Sequence, residues 1–511
     1  MKSTTLHTLF IALIVSLGGF LMGFDAGVVA GANPFYKHYF NLDEWALGWS
    51  VGCLTFGAMI GNGLAGTLAD RFGRRCTLMV AAFLYTLSAA GSALATDFNF
   101  FIFSRMVGGV AVGLALLIAP IYIAEIAPAR LRGRFVSCNQ LNIVIGFSAV
   151  FFANYYIFKA ADSEISTWIN RDNCWRWMLG AELLPAVLYF ILLFFVPRSP
   201  RWLIMQGRDA EAMQVLSRIL GREASTVFEE IKSHLKQSSS TPGVHWRQLF
   251  HPAFRGVLII GLGLAFFQQI TGINAIFFYA PTIFEKTGIS QESAFMQTVI
   301  IGLVNLGFTF AAIYIIDRFG RRPLLLIGTA VMSVSLLLNA WAFHDASYQI
   351  DEKLYAASAL ETQQMITPLL SESFSSEESF REAIKAQGVT DNIDQWIQKG
   401  LVIQAELVLV AIIGFIAAFA LSLGPVMWAL FSEIFPNSIR GLAISFAGFF
   451  NSLVSYGVQQ VFPWQLKTLG PSLTFLIFGL FALLAFFFTL RFIPETKGKS
   501  LEELESLLIR S

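Results

Sequence analysis

The sequence predicts an all-α membrane protein: twelve transmembrane helices in two six-helix bundles related as parallel repeats. Three observations carry this. The chain of 511 residues is 55% apolar and only 14% charged. Its apolar runs repeatedly exceed the roughly 18–20 residues that cross a bilayer. Its two halves also repeat the same short motifs in the same order.

The spans fall at about 9–31, 45–69, 76–96, 99–125, 134–158, 176–196, 256–284, 293–316, 323–344, 401–434, 440–464 and 470–493. Several exceed the minimum length, which implies tilt or extension beyond the lipid. The run from Leu9 has no small-residue cleavage signature after it, so it reads as the first span rather than a removed signal peptide. Most of the 35 Lys and Arg residues fall on the side that holds the N-terminus. The positive-inside rule then places both termini in the cytoplasm.

This gives an N-terminal bundle (1–196), a cytoplasmic helical linker domain (197–255), a C-terminal bundle (256–493) and a cytoplasmic tail (494–511). Within the linker, EASTVFEEIKSHL from Glu223 reads as a soluble helix and SSSTPG after it as a connector. Residues 345–400, between the ninth and tenth spans, are polar and acidic, with ESFREAIKAQ as a short helix. They read as an insertion in an external loop. Cys53, Cys76, Cys138 and Cys174 are scattered without metal or redox spacing, so neither a disulfide nor a metal site is expected.

The repeat is explicit. DRFGRR occurs at Asp70–Arg75 and again at Asp317–Arg322, and AEIAPARLRG from Ala124 is answered by SEIFPNSIRG from Ser432. VPRSPRWL after the sixth span is weakly answered by IPETKGKSL after the twelfth. The interval between the first two motifs is longer in the second half by about the length of the insertion. Two same-orientation halves with a site at their interface are a transporter plan. The repeated charges lie at cytoplasmic span ends. Arg74 and Arg75 could pair with Glu125, and Arg321 and Arg322 with Glu433, with Arg130, Arg132 and Arg440 as further partners. Such pairs would latch the inner ends of each bundle, and opening inward would break them.

Two sets of polar residues at membrane depth stand out, since such residues usually face a protein interior or a water-filled cavity. The first is FFQQITGINAIFFYAP, Phe266 to Pro281. On a straight helix Gln269 and Asn274 would point about 140° apart. Gly272 offers a remedy, because a glycine lets the helix loosen and freed backbone line a cavity. Amides both donate and accept, which suits a neutral, hydroxyl-rich ligand. Gluing helices together is the plainer role for such amides. The second set is Asp25 and Arg105, each about six residues inside the outer boundary of its span. At 1.5 Å per residue both lie about 9 Å deep, so they can meet. A movement that changed their separation, or admitted water, would change the proton affinity of Asp25. A static ion pair holding two helices is the competing reading.

At these motifs the chain resembles the sugar porter family of the major facilitator superfamily. The matches are GFDAGVVAGA in the first span, both DRFGRR loops, RMVGGVAVG, PIYIAEIAP, QQITGINAIFFYAP, GPVMW, SEIFPNSIRG and PETKGKSLEE. They cover essentially all of the membrane part. The resemblance implies the major facilitator fold, alternating access and a monosaccharide substrate. Position by position it implies sugar contacts at Gln140, Gln268, Gln269, Asn274, Asn305, Phe419, Gly424, Trp428 and Asn451. A tryptophan face can stack on the C–H surface of a sugar while amides satisfy its hydroxyls. It also favours proton coupling, since proton-coupled sugar porters carry an acid where Asp25 stands. The chain departs from the family at Arg198, where an acid is usual, at Ser452, where many relatives carry tryptophan, and at Phe278, often tyrosine. For the insertion the resemblance offers no usable counterpart.

The expected function is therefore proton-coupled uptake of a hexose or pentose. An uncoupled facilitator and a sugar sensor with a transporter fold are the alternatives. The short tail after Leu501 argues against a sensor. No phosphate-binding loop, metal-ligand spacing or nucleophile triad is found, so neither an enzyme nor an ATP-driven pump is expected. The expected partners are a sugar, a proton and membrane lipid, with no nucleic acid and no cofactor. The protein is expected to act as a monomer in the plasma (inner) membrane.

Overall fold

The computed structural model describes residues 2–127, 132–163, 168–238, 246–350, 352–356, 360–370, 372–389, 393–436, 438–499 and 503–505. Twelve helices among them are long and apolar enough to cross a membrane. The uninterrupted ones include Lys2–Tyr39, Glu44–Phe72, Phe98–Ile126, Gln291–Phe319 and Arg440–Thr468. The first helix runs well past the expected 9–31 at both ends. Three spans are broken. The sixth is Cys174–Gly180 followed by Leu183–Leu192, the seventh is Arg255–Ile270, Ile273–Phe278 and Ala280–Glu285, and the tenth is Ala405–Leu421 followed by Leu423–Ile434.

Local sequence sets the boundaries. Asp43 and Asp97 accept from the backbone N–H groups of Ala46 (2.7 Å) and Phe100 (2.9 Å), each satisfying a donor that the first helical turn leaves free. The glycine of each DRFGRR copy makes the turn between two spans. Gly73 and Gly320 have φ of 88° and 91°, a region that side chains with a Cβ rarely enter. Small residues also set helix spacing. A Cβ on Gly57, Gly61, Gly109 or Gly113 would collide with the facing backbone of the second or fourth span. Close approach through small residues is how helices pack when lipid offers no hydrophobic drive.

The first six spans form one bundle and the last six another. The face opposite the termini carries the insertion, and there the bundles meet. Trp45 stacks on Trp464 with centroids 6.0 Å apart, and Lys467 pairs with Glu44 at 3.1 Å. Gln460 donates to the Trp45 carbonyl (2.8 Å) and Asn33 to the Phe278 carbonyl (2.9 Å). Phe158 stacks on Phe295 with centroids 4.7 Å apart. The molecule is closed on this face.

Two smaller units flank the bundles. Helices Pro200–Met205, Asp209–Leu220 and Ala224–Ser238 share a core of Trp202, Leu203, Leu216 and Phe228. Trp202 ties this unit to the Asp70 carbonyl at 3.0 Å. The expected connector SSSTPG lies largely outside the described residues. The insertion contains the expected helix, at Glu377–Ala386, and its own core of Ile350, Ile366, Phe380 and Ile384. It also contains a sheet that was not anticipated, with Ser347–Gln349 between Ser373–Phe374 and Leu401–Val402. That sheet claims Leu401 and Val402, so the tenth span begins at Ala405 rather than 401. None of the four cysteines forms a disulfide.

Candidate functional site

The seventh span bends where Gly272 stands. The helix ends at Ile270, Gly272 takes a left-handed φ of 88°, and a new helix starts at Ile273. A Cβ on Gly272 would lie 2.5 Å from the Phe478 ring, so the position is held by both backbone and space. The bend removes the angular separation of a straight helix. Asn274 donates to Gln269 Oε1 at 2.9 Å.

These amides join a network with the eleventh span. Asn451 donates to Gln268 Oε1 (2.7 Å) and to the Ala265 carbonyl (2.9 Å). Gln269 donates to Gln268 Oε1 (3.0 Å) and Asn451 Oδ1 (3.2 Å). Asn274 also donates to Ser455 Oγ at 2.7 Å. Four of the expected site residues are thus brought together and bonded to one another. Such groups can exchange those bonds for the hydroxyls of an entering polyol without leaving a buried polar atom unpaired.

The other expected contacts stand apart from this network. Trp428, in the second part of the tenth span, keeps 43% of its surface exposed and meets Phe431 edge-on. Phe419 packs beside Gly424 at the break of that span. Gln140 is exposed and Asn305 is buried. Phe278 lies parallel to Phe147 of the other bundle at 6.4 Å, and Ser452 returns its hydroxyl to the Gly448 carbonyl.

The matched-depth charges do meet. Arg105 bonds to the Asp25 carboxylate, with side-chain exposures of 1% and 0%, and a second guanidinium N–H reaches the Asp25 carbonyl at 3.4 Å. Around them is a group of buried polar atoms without hydrogen-bond partners: Asp25 Oδ2, Arg105 Nε, Tyr85 Oη, Ser88 Oγ and Glu182 Oε1. Glu182 lies within electrostatic reach of both Asp25 and Arg105. Sequence reasoning missed it, although a lone acid inside the apolar sixth span at similar depth was a signal. It also missed Ser455 and Gln459, which follow Asn451 at four-residue steps and so share its helix face.

The repeated charges are paired only in part as expected. Arg74 meets Glu125 at 3.1 Å and Arg321 meets Glu433 at 2.9 Å. Arg75 and Arg322 do not pair with those acids. They donate to span-end carbonyls, Arg75 to Leu193 and Phe194 and Arg322 to Leu490, because the neighbouring position on each helix points toward a different span. Arg440 donates to the Phe435 carbonyl. Arg130 and the side chain of Arg132 lie outside the described residues. Each acid has a second donor instead: Ser199 for Glu125 and Thr496 for Glu433. Glu495 further caps the ninth span, accepting from the backbone N–H groups of Arg321 and Arg322 at 3.1 Å each. Both pairs lie within one bundle and coexist with closure of the opposite face. The expected pairings are thus present for Arg74 with Glu125 and for Arg321 with Glu433.

Two repeated six-helix bundles, an amide network in the second, a buried ion pair in the first and one closed face define an alternating-access membrane transporter. The chain matches the family model for sugar (and other) transporters over residues 11–354 and 395–508, and it belongs to that family. The unmatched stretch lies within the insertion. The chain is 35% identical to the D-xylose-proton symporter of Escherichia coli strain K12, over 97% of this chain and 95% of that protein. It is 34% identical to the arabinose-proton symporter of Bacillus subtilis strain 168, over 99% and 97%. Its structure resembles the inward-open conformation of the xylose transporter XylE from E. coli, with a TM-score of 0.75 and 34% identity over 98% of this chain and 100% of that one.

Proposed function

We propose that the protein is a proton-coupled symporter that takes up a monosaccharide, a hexose or a pentose, by alternating access. The carrying observation is the presence of two devices in one membrane interior: the self-paired amides of the seventh and eleventh spans, and the buried Asp25–Arg105 pair ringed by unpartnered polar atoms. The relatives named as pentose-proton symporters support the same reading. Gln268, Gln269, Asn274 and Asn451 bind sugar hydroxyls, with Gln140, Asn305, Phe419, Gly424 and Trp428 completing the cavity as the bundles rock. Trp428 supplies the apolar face.

Asp25 carries the proton. Its partner-free oxygen accepts it when water reaches the site, and Arg105 holds the carboxylate charged when the site is dry and the proton has left. The face closed here is the outer one, and the protein stands inward-facing. Both termini are cytoplasmic, in keeping with the distribution of Lys and Arg, and the membrane is the plasma (inner) membrane. The site is built from one chain, so the monomer is the working unit. Counterflow of D-xylose, L-arabinose and D-glucose in proteoliposomes, with proton uptake recorded alongside, tests this. Sugar uptake with no accompanying protons would leave a facilitator, and no uptake of any of the three would remove the monosaccharide.

A further inference from the structure

The hydrogen-bond network of the amides does not stop at Ser455. Ser455 Oγ accepts from Asn274 (2.7 Å) and also from Gln459 Nε2 (2.8 Å). Gln459 is fully buried, and its Oε1 accepts from Thr55 Oγ1 at 3.0 Å. Thr55 belongs to the second span, on the other bundle. An unbroken chain of side chains, Gln269–Asn274–Ser455–Gln459–Thr55, therefore runs from the sugar amides across the bundle interface. It ends among the contacts that close the outer face. Within about three helical turns of its end lie Trp49 against Tyr456, the Trp45–Trp464 stack and the Lys467–Glu44 pair. Tyr279, at the start of the outer piece of the seventh span, donates to the Gln459 carbonyl at 3.3 Å.

The bookkeeping of donors makes this chain responsive. Both amide protons of Asn274 are committed, one to Gln269 and one to Ser455. A sugar hydroxyl that accepts from Asn274 must displace one of them. When the bond to Ser455 is the one displaced, Ser455 loses a donor that fixes its hydroxyl, and this hydroxyl is the acceptor that holds the Gln459 amide serving Thr55. We propose that Ser455, Gln459 and Thr55 are positioning residues that couple occupancy of Asn274 to closure of the outer face. The proposal rests on the sugar-transport reading above. Linkage makes the coupling reciprocal, so breaking the Thr55–Gln459 bond on outward opening resets the amides and alters sugar affinity. The two-state element is the outer closure itself, the feature that a coupling network must bias.

The test uses the full chain with Thr55→Val, Thr55→Ser, Asn274→Ala and the Thr55→Val/Asn274→Ala double variant. Without sugar, hydrogen exchange over 44–56 and 456–468 should quicken roughly 2- to 12-fold in Thr55→Val, the range one net hydrogen bond spans. It should return to the wild-type rate in Thr55→Ser. With sugar, calorimetry uses whichever of D-xylose, L-arabinose and D-glucose the wild type binds most tightly. Thr55→Val should change affinity within the same range, and should add nothing once Asn274 is already alanine. Unchanged exchange in Thr55→Val, failure of Thr55→Ser to restore it, or strictly additive affinity losses would overturn the coupling. A wild type that binds none of the three sugars would overturn the monosaccharide reading instead, and the sugar-free exchange then decides the coupling alone. If Thr55→Val fails to fold, Thr55→Ala carries the same comparisons.

Discussion

Replacing Asp25 by asparagine separates coupling from transport. The ion pair is buried to 1% and 0% side-chain exposure, so the substitution leaves the Arg105 guanidinium deep in the bundle without its carboxylate. Breaking a buried pair in this way costs about 3–5 kcal/mol when nothing compensates. Two features of the structure moderate that. The asparagine Oδ1 can still accept from Arg105, and the Glu182 carboxylate, whose Oε1 has no partner, lies within electrostatic reach. The expected cost is near the lower end, about 3 kcal/mol, and the variant should fold. The functional loss is larger. One pH unit is worth about 1.36 kcal/mol per proton, which sustains roughly tenfold accumulation of sugar for each proton coupled. Under a one-unit inward proton gradient in proteoliposomes, the wild type should concentrate sugar about tenfold per coupled proton. Asp25→Asn should stop at equal concentrations, yet still exchange labelled for unlabelled sugar between equal pools. Accumulation by the variant under the imposed gradient would refute the role of Asp25.

Gln268→Ala and Asn274→Ala should each weaken sugar binding by roughly 5- to 150-fold, the equivalent of about 1–3 kcal/mol for one lost bond in a buried polar site. Unchanged calorimetric affinity in both folded variants would remove the amides from the site. Deleting about residues 348–396 behind a short Gly/Ser linker should leave transport within a few-fold of normal, because the insertion has its own core. Loss of sugar binding in a folded deletion would make it part of the site or gate. Glu125→Gln and Glu433→Gln should lower the melting temperature with little change in the inward-facing population, because each acid pairs within its own bundle. A large shift in reactivity of a cysteine placed in the cytoplasmic vestibule, at unchanged stability, would return these pairs to the role of a conformational latch.

Reading along the chain reached a long way into the site. Helical rise alone placed Asp25 and Arg105 at equal depth, and they are bonded. Helical rotation alone showed that Gln269 and Asn274 need a break between them, and Gly272 supplies it. Both deductions use distances within a helix, which covalent geometry fixes. Where the reading failed, the missing quantity was a direction in space. Arg74 and Arg75 are neighbours with the same charge, and nothing in their order says that one faces Glu125 and the other the end of the sixth span. Glu182 was passed over because its significance depends on which helix the sixth span packs against.

The sequence by itself determined the number of spans, the repeat and the residue types at membrane depth. Each of these is set by transfer of apolar surface into lipid and by the need to satisfy backbone groups within a helix. The tertiary structure alone decided that the amides of the seventh and eleventh spans share one network, and that it extends through Gln459 to Thr55 on the other bundle. It also decided which face is closed. Those outcomes depend on how two preformed bundles sit against each other, a rigid-body relation set by contacts between residues hundreds of positions apart, which local propensity and periodicity do not encode.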